Sequence, residues 1–248
     1  MAGDNEAEQG PDDAEPVGRR AQRRAFRKDE ILRTALDLVT EGGLDALTTT
    51  ELAKRTGAAL GALYRFYPSK QAVIAALQVR ALEELGVDLE RAAARAADPV
   101  AGASPAVRAL APLVAVADTF FDLPRTNPAR YRLIDELLSR PDPVYNVDDA
   151  VAMEATVRPI LVRVAELSQA LPGLAAADVG RAPIVLWGAL HGVAHFLKRD
   201  RIAESDGPRA ADIAGMLVRT LLLGWGARPA DVDQTIALLE PKALRFSR

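Results

Sequence analysis

The 248-residue chain predicts an all-α fold. Three observations carry this expectation. Apolar residues recur at helical spacing along most of the chain, and the breaks between them carry cap residues followed by proline or glycine. No alternating β-branched run reaches strand length.

Taken in order, residues 1–18 hold Asp4, Glu6, Glu8, Asp12, Asp13 and Glu15 with no Lys or Arg and few large apolar groups, so a disordered acidic tail is expected. From Arg24 to Thr40, Phe26, Ile31, Leu32, Ala35, Leu36, Leu38 and Val39 mark a first helix, stopped at Gly42-Gly43. Thr48 to Glu51 reads as a capping box, opening a short helix that runs through Leu52 and Ala53 to Gly57. A third helix is expected over Leu60–Tyr67, ended by Pro68-Ser69, with Ser69 capping a long fourth through Ala97.

Ser104-Pro105 pairs an N-cap with a first-turn proline, starting a helix to Leu123 that Pro112 is expected to kink. Asn127-Pro128 repeats the signal for a helix to Ser139, and "RPDPVYN" reads as a loop. Val147–Leu171 is a helix bent near Pro159, stopped by Pro172-Gly173. Asp178–Arg199, Arg209–Trp225 and Pro229–Leu239 complete the set.

Composition narrows the function. The chain has no cysteine, which excludes disulfides and thiolate metal sites and fits a reducing cytoplasm. The N-terminus lacks an apolar signal-peptide core, and no apolar run approaches the ~20 residues of a membrane span. A soluble cytoplasmic protein with no membrane partner is expected. The net charge of −3 conceals segregation: residues 19–80 carry twelve basic and six acidic side chains. A basic segment on a near-neutral body suits a polyanion, although a run such as "GRRAQRRAFRK" also suits a solvated helix start.

The second and third helices around Gly57 form a helix-turn-helix, with the first helix completing its core. Leu52, Ala53, Leu63 and Tyr67 fall where they pack inward. Thr49, Thr50, Leu60, Gly61, Ala62, Tyr64 and Phe66 remain on the outer edge, in the half of a recognition helix that enters a major groove, and Lys70 adds charge just beyond.

"LTTTELAKRTGAALGALYRFYPSKQAVIAAL" resembles the DNA-binding domain of the TetR family of bacterial transcriptional regulators. Nine positions match its pattern without a gap: Thr48, Leu52, Ala53, Gly57, Gly61, Leu63, Tyr64, Tyr67 and Lys70. "WGALHG", Trp187 to Gly192, is similar to a Trp-x-x-x-His-Gly element of one subset. The resemblance implies a homodimer that binds a pseudo-palindromic operator in double-stranded DNA and releases it when a small-molecule effector enters the C-terminal domain. It implies DNA contacts at Thr49, Thr50, Leu60, Gly61, Ala62, Tyr64, Phe66 and Lys70. Many members have Ser, Thr and His where this chain has Ala59, Ala62 and Phe66. The missing cap should cost the third helix ~1 kcal/mol. The edge is correspondingly apolar: Leu60 and Ala62 suit thymine methyls, and Arg65 is the best remaining guanine reader. The expected division is a tail over 1–18, a DNA-binding domain over 19–80 and a ligand-binding and dimerisation domain over 81–248.

In the C-terminal half, Phe120, Phe121, Tyr131, Met153, Trp187 and His191 are candidates to line an effector pocket, although aromatics at helical spacing also serve as plain core. His191 and His195 lie at i, i+4, a spacing that can hold a metal, but no H-E-x-x-H accompanies them. Neutral core histidines and no metal or cofactor are therefore expected. Arg132 could meet an acidic ligand, but a surface role is the plainer expectation. Residues 178–199 and 209–225 are expected to form the dimer interface, with Gly188 and Gly192 as low spots where a partner helix can approach. An all-α metal-dependent enzyme and a helical protein-interaction module are the alternatives. With two histidines and no nucleophile–base spacing, no enzyme is expected.

Overall fold

The computed structural model describes residues 17–139, 146–197 and 209–246, and among these there are helices and turns but no strand. The helices are α1 (Val17–Ala46), α2 (Thr49–Thr56), α3 (Leu60–Tyr64), α4 (Lys70–Arg95), α5 (Pro105–Thr126), α6 (Pro128–Ser139), α7 (Val147–Ser168), α8 (Ala182–Ala194), α9 (Ala210–Gly224) and α10 (Pro229–Leu239).

The cap signals locate most of these boundaries. Thr48, Ser69 and Ser104 accept hydrogen bonds from the backbone N–H of Glu51, Ala72 and Val107. Asn127 Oδ1 accepts from Arg130 N at 3.0 Å. Each bond satisfies one donor that a helix start leaves without an internal partner. The box at Thr48 is half formed: the Glu51 carboxylate turns instead to Arg55, while Thr48 N donates to Ala46 O at 3.0 Å. Gly57 ends α2 at φ 61, where a side chain would be strained, and sends its N–H back to Ala53 and Lys54.

Several boundaries differ from the sequence expectation. Helix α1 begins at Val17, well before Arg24, so Val17 and Gly18 are helical; the rest of the expected tail, residues 1–16, lies outside the described residues. This early stretch is rich in Arg, Gln and Ala, which favour helix without an apolar stripe to announce it. Arg33 pairs with Asp29 at 3.0 Å, and Arg27 pairs with Glu30, further down the same helix. Phe26, read as part of the core stripe, is 66% exposed. The kink at Gly43 (φ 74) falls where the glycine pair was expected to stop the helix. Helix α3 is one short turn to Tyr64, and Ala59 offers it no side-chain cap. Helix α8 starts at Ala182 after a turn in which Asp178 O accepts from Arg181 N and Ala182 N. Residues 140–145 of the expected "RPDPVYN" loop and the end of the expected helix to Arg199 lie outside the described residues.

Packing follows from these elements. Helices α1, α2 and α3 close over Ile31, Ala35, Leu38, Leu52, Ala53, Leu63 and Tyr67, all buried. Helix α4 leaves that cluster and packs along α5, α6 and α7, while α5 also meets α8 and α10. Two features bind α6 to α4: Gln78, 1% exposed, donates to Leu133 O at 3.0 Å, and Arg130 bridges Glu84 and Asp88. Arg132 is exposed, as expected, and donates to Val39 O in α1 at 3.4 Å. No helix among the described residues is long and apolar enough to cross a membrane.

Candidate functional site

The α2–turn–α3 unit is held from behind. Arg55 spans to Glu41 of α1 at 2.8 Å and to Glu51 at 3.0 Å, which latches α2 onto α1. These bonds raise the Arg55 guanidinium above its ordinary value and lower the Glu41 carboxyl. Tyr67 lies buried beneath, and burial together with the nearby Asp29 carboxylate pushes its hydroxyl up to about 12. That phenol is a neutral strut and plays no ionic part at ordinary pH.

The outer residues divide into two groups. Thr50, Leu60, Gly61, Tyr64 and Arg65 are exposed, with Leu60 at 42% and Tyr64 at 43%, while Thr49 and Ala62 are half-buried. Among the described residues, nothing beyond α3's own backbone and Gly61's chain neighbours lies within 4 Å of where a Cβ on Gly61 would be, so the α3 backbone is open to close approach there. Phe66 and Lys70 are more committed. Phe66 is half-buried with the Arg24 guanidinium 5.8 Å over its ring, and Lys28 stands 5.6 Å over the Tyr67 ring. Lys70 Nζ donates to Leu44 O at 3.0 Å, bracing the start of α4 against the end of α1. The exposed early turns of α1, with Arg19 and Arg20, extend beyond this unit.

Behind it, a cleft of about 540 Å³ opens between α4 and α7, lined by apolar Leu82, Gly86, Leu89, Val116, Ile160 and Val164 and rimmed by Glu90 and Arg163. The same walls continue inward to a small space of about 40 Å³ against Phe120, Leu186 and Trp187. Phe120 and Trp187 meet edge to face with centroids 6.4 Å apart. Of the six expected pocket residues, only these two line that space. Phe121 and Met153 belong to the buried core.

Tyr131 and His191 are drawn into a different constellation. Their rings lie 6.0 Å apart, and His191 stands 4.9 Å from His195, edge to face. Asp135, four residues after Tyr131 on α6, completes the group: its Oδ1 is 3.2 Å from Nε2 of both histidines. Burial holds the His191 imidazole below its ordinary value, opposed by the Asp135 carboxylate and assisted by His195. Burial and Asp135 push the Tyr131 hydroxyl up to about 12. The expectation of hydrogen-bonded core histidines fails in one respect, since His191 Nδ1 is buried without a partner and His195 is exposed. Asp135 was missed in the sequence. The available signal was its i, i+4 spacing from Tyr131, matching that of the two histidines.

Comparison with known proteins agrees with this architecture. Residues 31–77 match the profile of bacterial regulatory proteins, tetR family. The HTH-type transcriptional repressor KstR of Mycolicibacterium smegmatis is 32% identical over 83 residues, which is 34% of this chain and 40% of that protein. The class A tetracycline repressor from transposon 1721 of Escherichia coli is 44% identical over 59 residues, 24% of this chain and 27% of the repressor. The chain thus aligns with less than half the length of either repressor. The structure of the regulator FadR from Bacillus subtilis in complex with stearoyl-CoA superposes with a TM-score of 0.54 at 16% identity, covering 79% of this chain and 97% of FadR. Similarity at that identity establishes the shared fold. The helix-turn-helix segment is thus similar to that of tetR-family bacterial regulatory proteins, and the described helices share the fold of such regulators.

Proposed function

We propose that the chain is a cytoplasmic, ligand-responsive transcriptional repressor that binds a pseudo-palindromic operator as a homodimer and is released by a small hydrophobic molecule. The observation that carries this reading is the exposed row Thr50, Leu60, Gly61 and Tyr64 on a braced helix-turn-helix, within the segment similar to tetR-family DNA-binding domains. Residues 19–80 would dock on DNA, with α3 in the major groove. Tyr64 and the α1 arginines would meet phosphate, and Leu60, Ala62 and Arg65 would meet base edges. Because Phe66 and Lys70 are engaged by Arg24 and Leu44, their share of direct contact would be smaller.

Residues 81–248 would supply dimer and effector sites. Ile184, Val185, Phe196 and Met216 are large apolar side chains 46–63% exposed on or beside α8 and α9. Gly188 and Gly192 lie among them, exposed and with open space where a Cβ would be. Such a face fits a four-helix bundle formed with a second copy. The cleft between α4 and α7 falls in the usual range for ligand pockets, ~300–1,000 Å³. Stearoyl-CoA in the similarly folded FadR supports an apolar effector class. An effector acts only by favouring the non-binding conformation, since equal affinity for both shifts nothing.

The test is selection of duplexes from a random library by the full chain at physiological salt. One pseudo-palindromic sequence should be enriched, and operator affinity should fall when a ligand that changes Trp187 fluorescence is added. Stearoyl-CoA is the first ligand to try. Failure to enrich any duplex over non-specific binding would overturn the DNA-binding reading. A salt-independent interaction would favour a protein-interaction module instead.

A further inference from the structure

The group formed by Asp135, His191 and His195 is arranged as a set of metal ligands. One donor atom from each lies within 4.8 Å of the others, and both imidazole Nε2 atoms are 3.2 Å from the same carboxylate oxygen. Despite that proximity, Asp135 Oδ1 is buried and has no hydrogen-bond partner, so neither ring nitrogen addresses it along an N–H axis. Donors around a metal behave in this way. Their lone pairs converge on a centre off the lines joining them, and bonds of ~2.0–2.1 Å in a tetrahedral set leave neighbouring donors ~3.3 Å apart.

The surrounding hydrogen bonds point the same way. His195 Nδ1 lies 3.0 Å from His191 O, and a carbonyl only accepts, so Nδ1 carries the hydrogen. In the neutral ring this leaves the Nε2 lone pair facing the cluster, the tautomer that a backbone carbonyl fixes in metal-binding histidines. Among the described residues, the ion pairs of Asp135 are with His191 and His195. All five buried polar atoms without a partner among the described residues are on α6 and α8: Arg130 Nε, Tyr131 Oη, Asp135 Oδ1, Trp187 Nε1 and His191 Nδ1. Buried polar atoms are satisfied in folded proteins by protein, water or ions. A cation bound between Asp135 and the two histidines would give Asp135 Oδ1 the partner it lacks.

We propose that Asp135, His191 and His195 bind a first-row divalent transition-metal ion, with water completing the coordination sphere. Two imidazoles and one carboxylate suit Zn2+, Fe2+, Co2+ or Ni2+ better than Mg2+ or Ca2+, which prefer all-oxygen sets. The ion joins α6 to α8, the helix that bears the exposed apolar face. The assignment rests on the cluster alone and does not depend on the regulatory reading.

The experiment titrates Zn2+ into the untagged full-length chain, freed of metal by chelator, in competition with a chromophoric chelator. Co2+ serves as a spectroscopic probe. The wild type should take up one Zn2+ per chain, and Co2+ should give visible ligand-field bands that Zn2+ displaces. Loss of even an outer-shell partner weakens metal binding ~10–100-fold, so His195→Ala and Asp135→Asn should each weaken Zn2+ at least ~100-fold. His195 is exposed, so its variant should keep the wild-type circular dichroism spectrum. Arg158→Ala, at an exposed arginine on α7, should bind as the wild type does. Zn2+ uptake unchanged in both His195→Ala and Asp135→Asn, or no saturable uptake by the wild type, would overturn the assignment.

Discussion

Arg19 and Arg20 stand on the exposed first turns of α1, beyond the part of the helix that packs on α2 and α4. If this arm lies along the phosphate backbone, Arg19→Ala/Arg20→Ala removes two phosphate contacts and leaves the fold intact. Alanine favours helix at least as well as arginine, and surface changes of this kind usually stay within ~0.5 kcal/mol of neutral. Each lost contact lowers the slope of log affinity against log salt by ~0.9, so the pair should lower it by ~1.8. Across the fourfold span from ~50 to ~200 mM salt, the parent should lose ~12-fold more affinity than the variant. The assay is fluorescence anisotropy on a labelled selected operator at four or more salt concentrations, with Arg158→Ala as control. Identical slopes for parent and arm variant, or an equal change in the control, would refute arm docking. The same measurement on scrambled duplex should give the same slope change, because counterion release carries no sequence information.

Three further outcomes are expected. Tyr64→Phe should weaken binding almost equally across operator variants, whereas Leu60→Ala or Arg65→Ala should alter base preference; the reverse pattern in a binding-site library would refute this docking. Gly188→Arg/Gly192→Arg, at positions with open space around them, should split the dimer in analytical ultracentrifugation and abolish operator binding while circular dichroism retains the helix signal. A folded dimer with intact affinity would put the interface elsewhere. Asp118 accepts backbone N–H groups from Lys242, Ala243 and Leu244 at 2.8–3.1 Å, so Asp118→Ala should destabilise by about 2–4 kcal/mol in urea unfolding, with Asp118→Asn intermediate. Equal stability of all three would mean that this clamp contributes nothing.

Helix starts were legible because their chemistry is local: Thr48, Ser69, Ser104 and Asn127 bond to donors three residues away. The inward positions of the helix-turn-helix were equally legible, since Leu52 and Leu63 are each 1% exposed. What escaped depends on distance in sequence. Asp135 lies far from His191 along the chain, and no periodicity connects α6 to α8. The same is true of Lys70 and Leu44, whose hydrogen bond braces the start of α4 on the end of α1. Phe66 was assigned to the outer edge by helical phase, but α3 ends at Tyr64 and the chain then folds Phe66 under Arg24. Helical phase carried past the end of a helix misplaces whatever follows.

Helix α4 is continuous from Lys70 to Arg95, 26 residues without a proline, and so about 39 Å long at 1.5 Å per residue. Its first residue is tied to Leu44, and further along it holds Leu133 of α6 through Gln78. It is a lever with no joint. A tilt of only ~5° imposed at its far end, beside the cleft, swings the near end through ~3 Å over that length. In the proposed dimer the two-fold-related levers would swing in opposite directions, so the separation of the two α3 helices would change by up to twice that amount. Small packing changes between α4 and α7 would then be read at the helix-turn-helix as distance, with no hinge needed between the two ends.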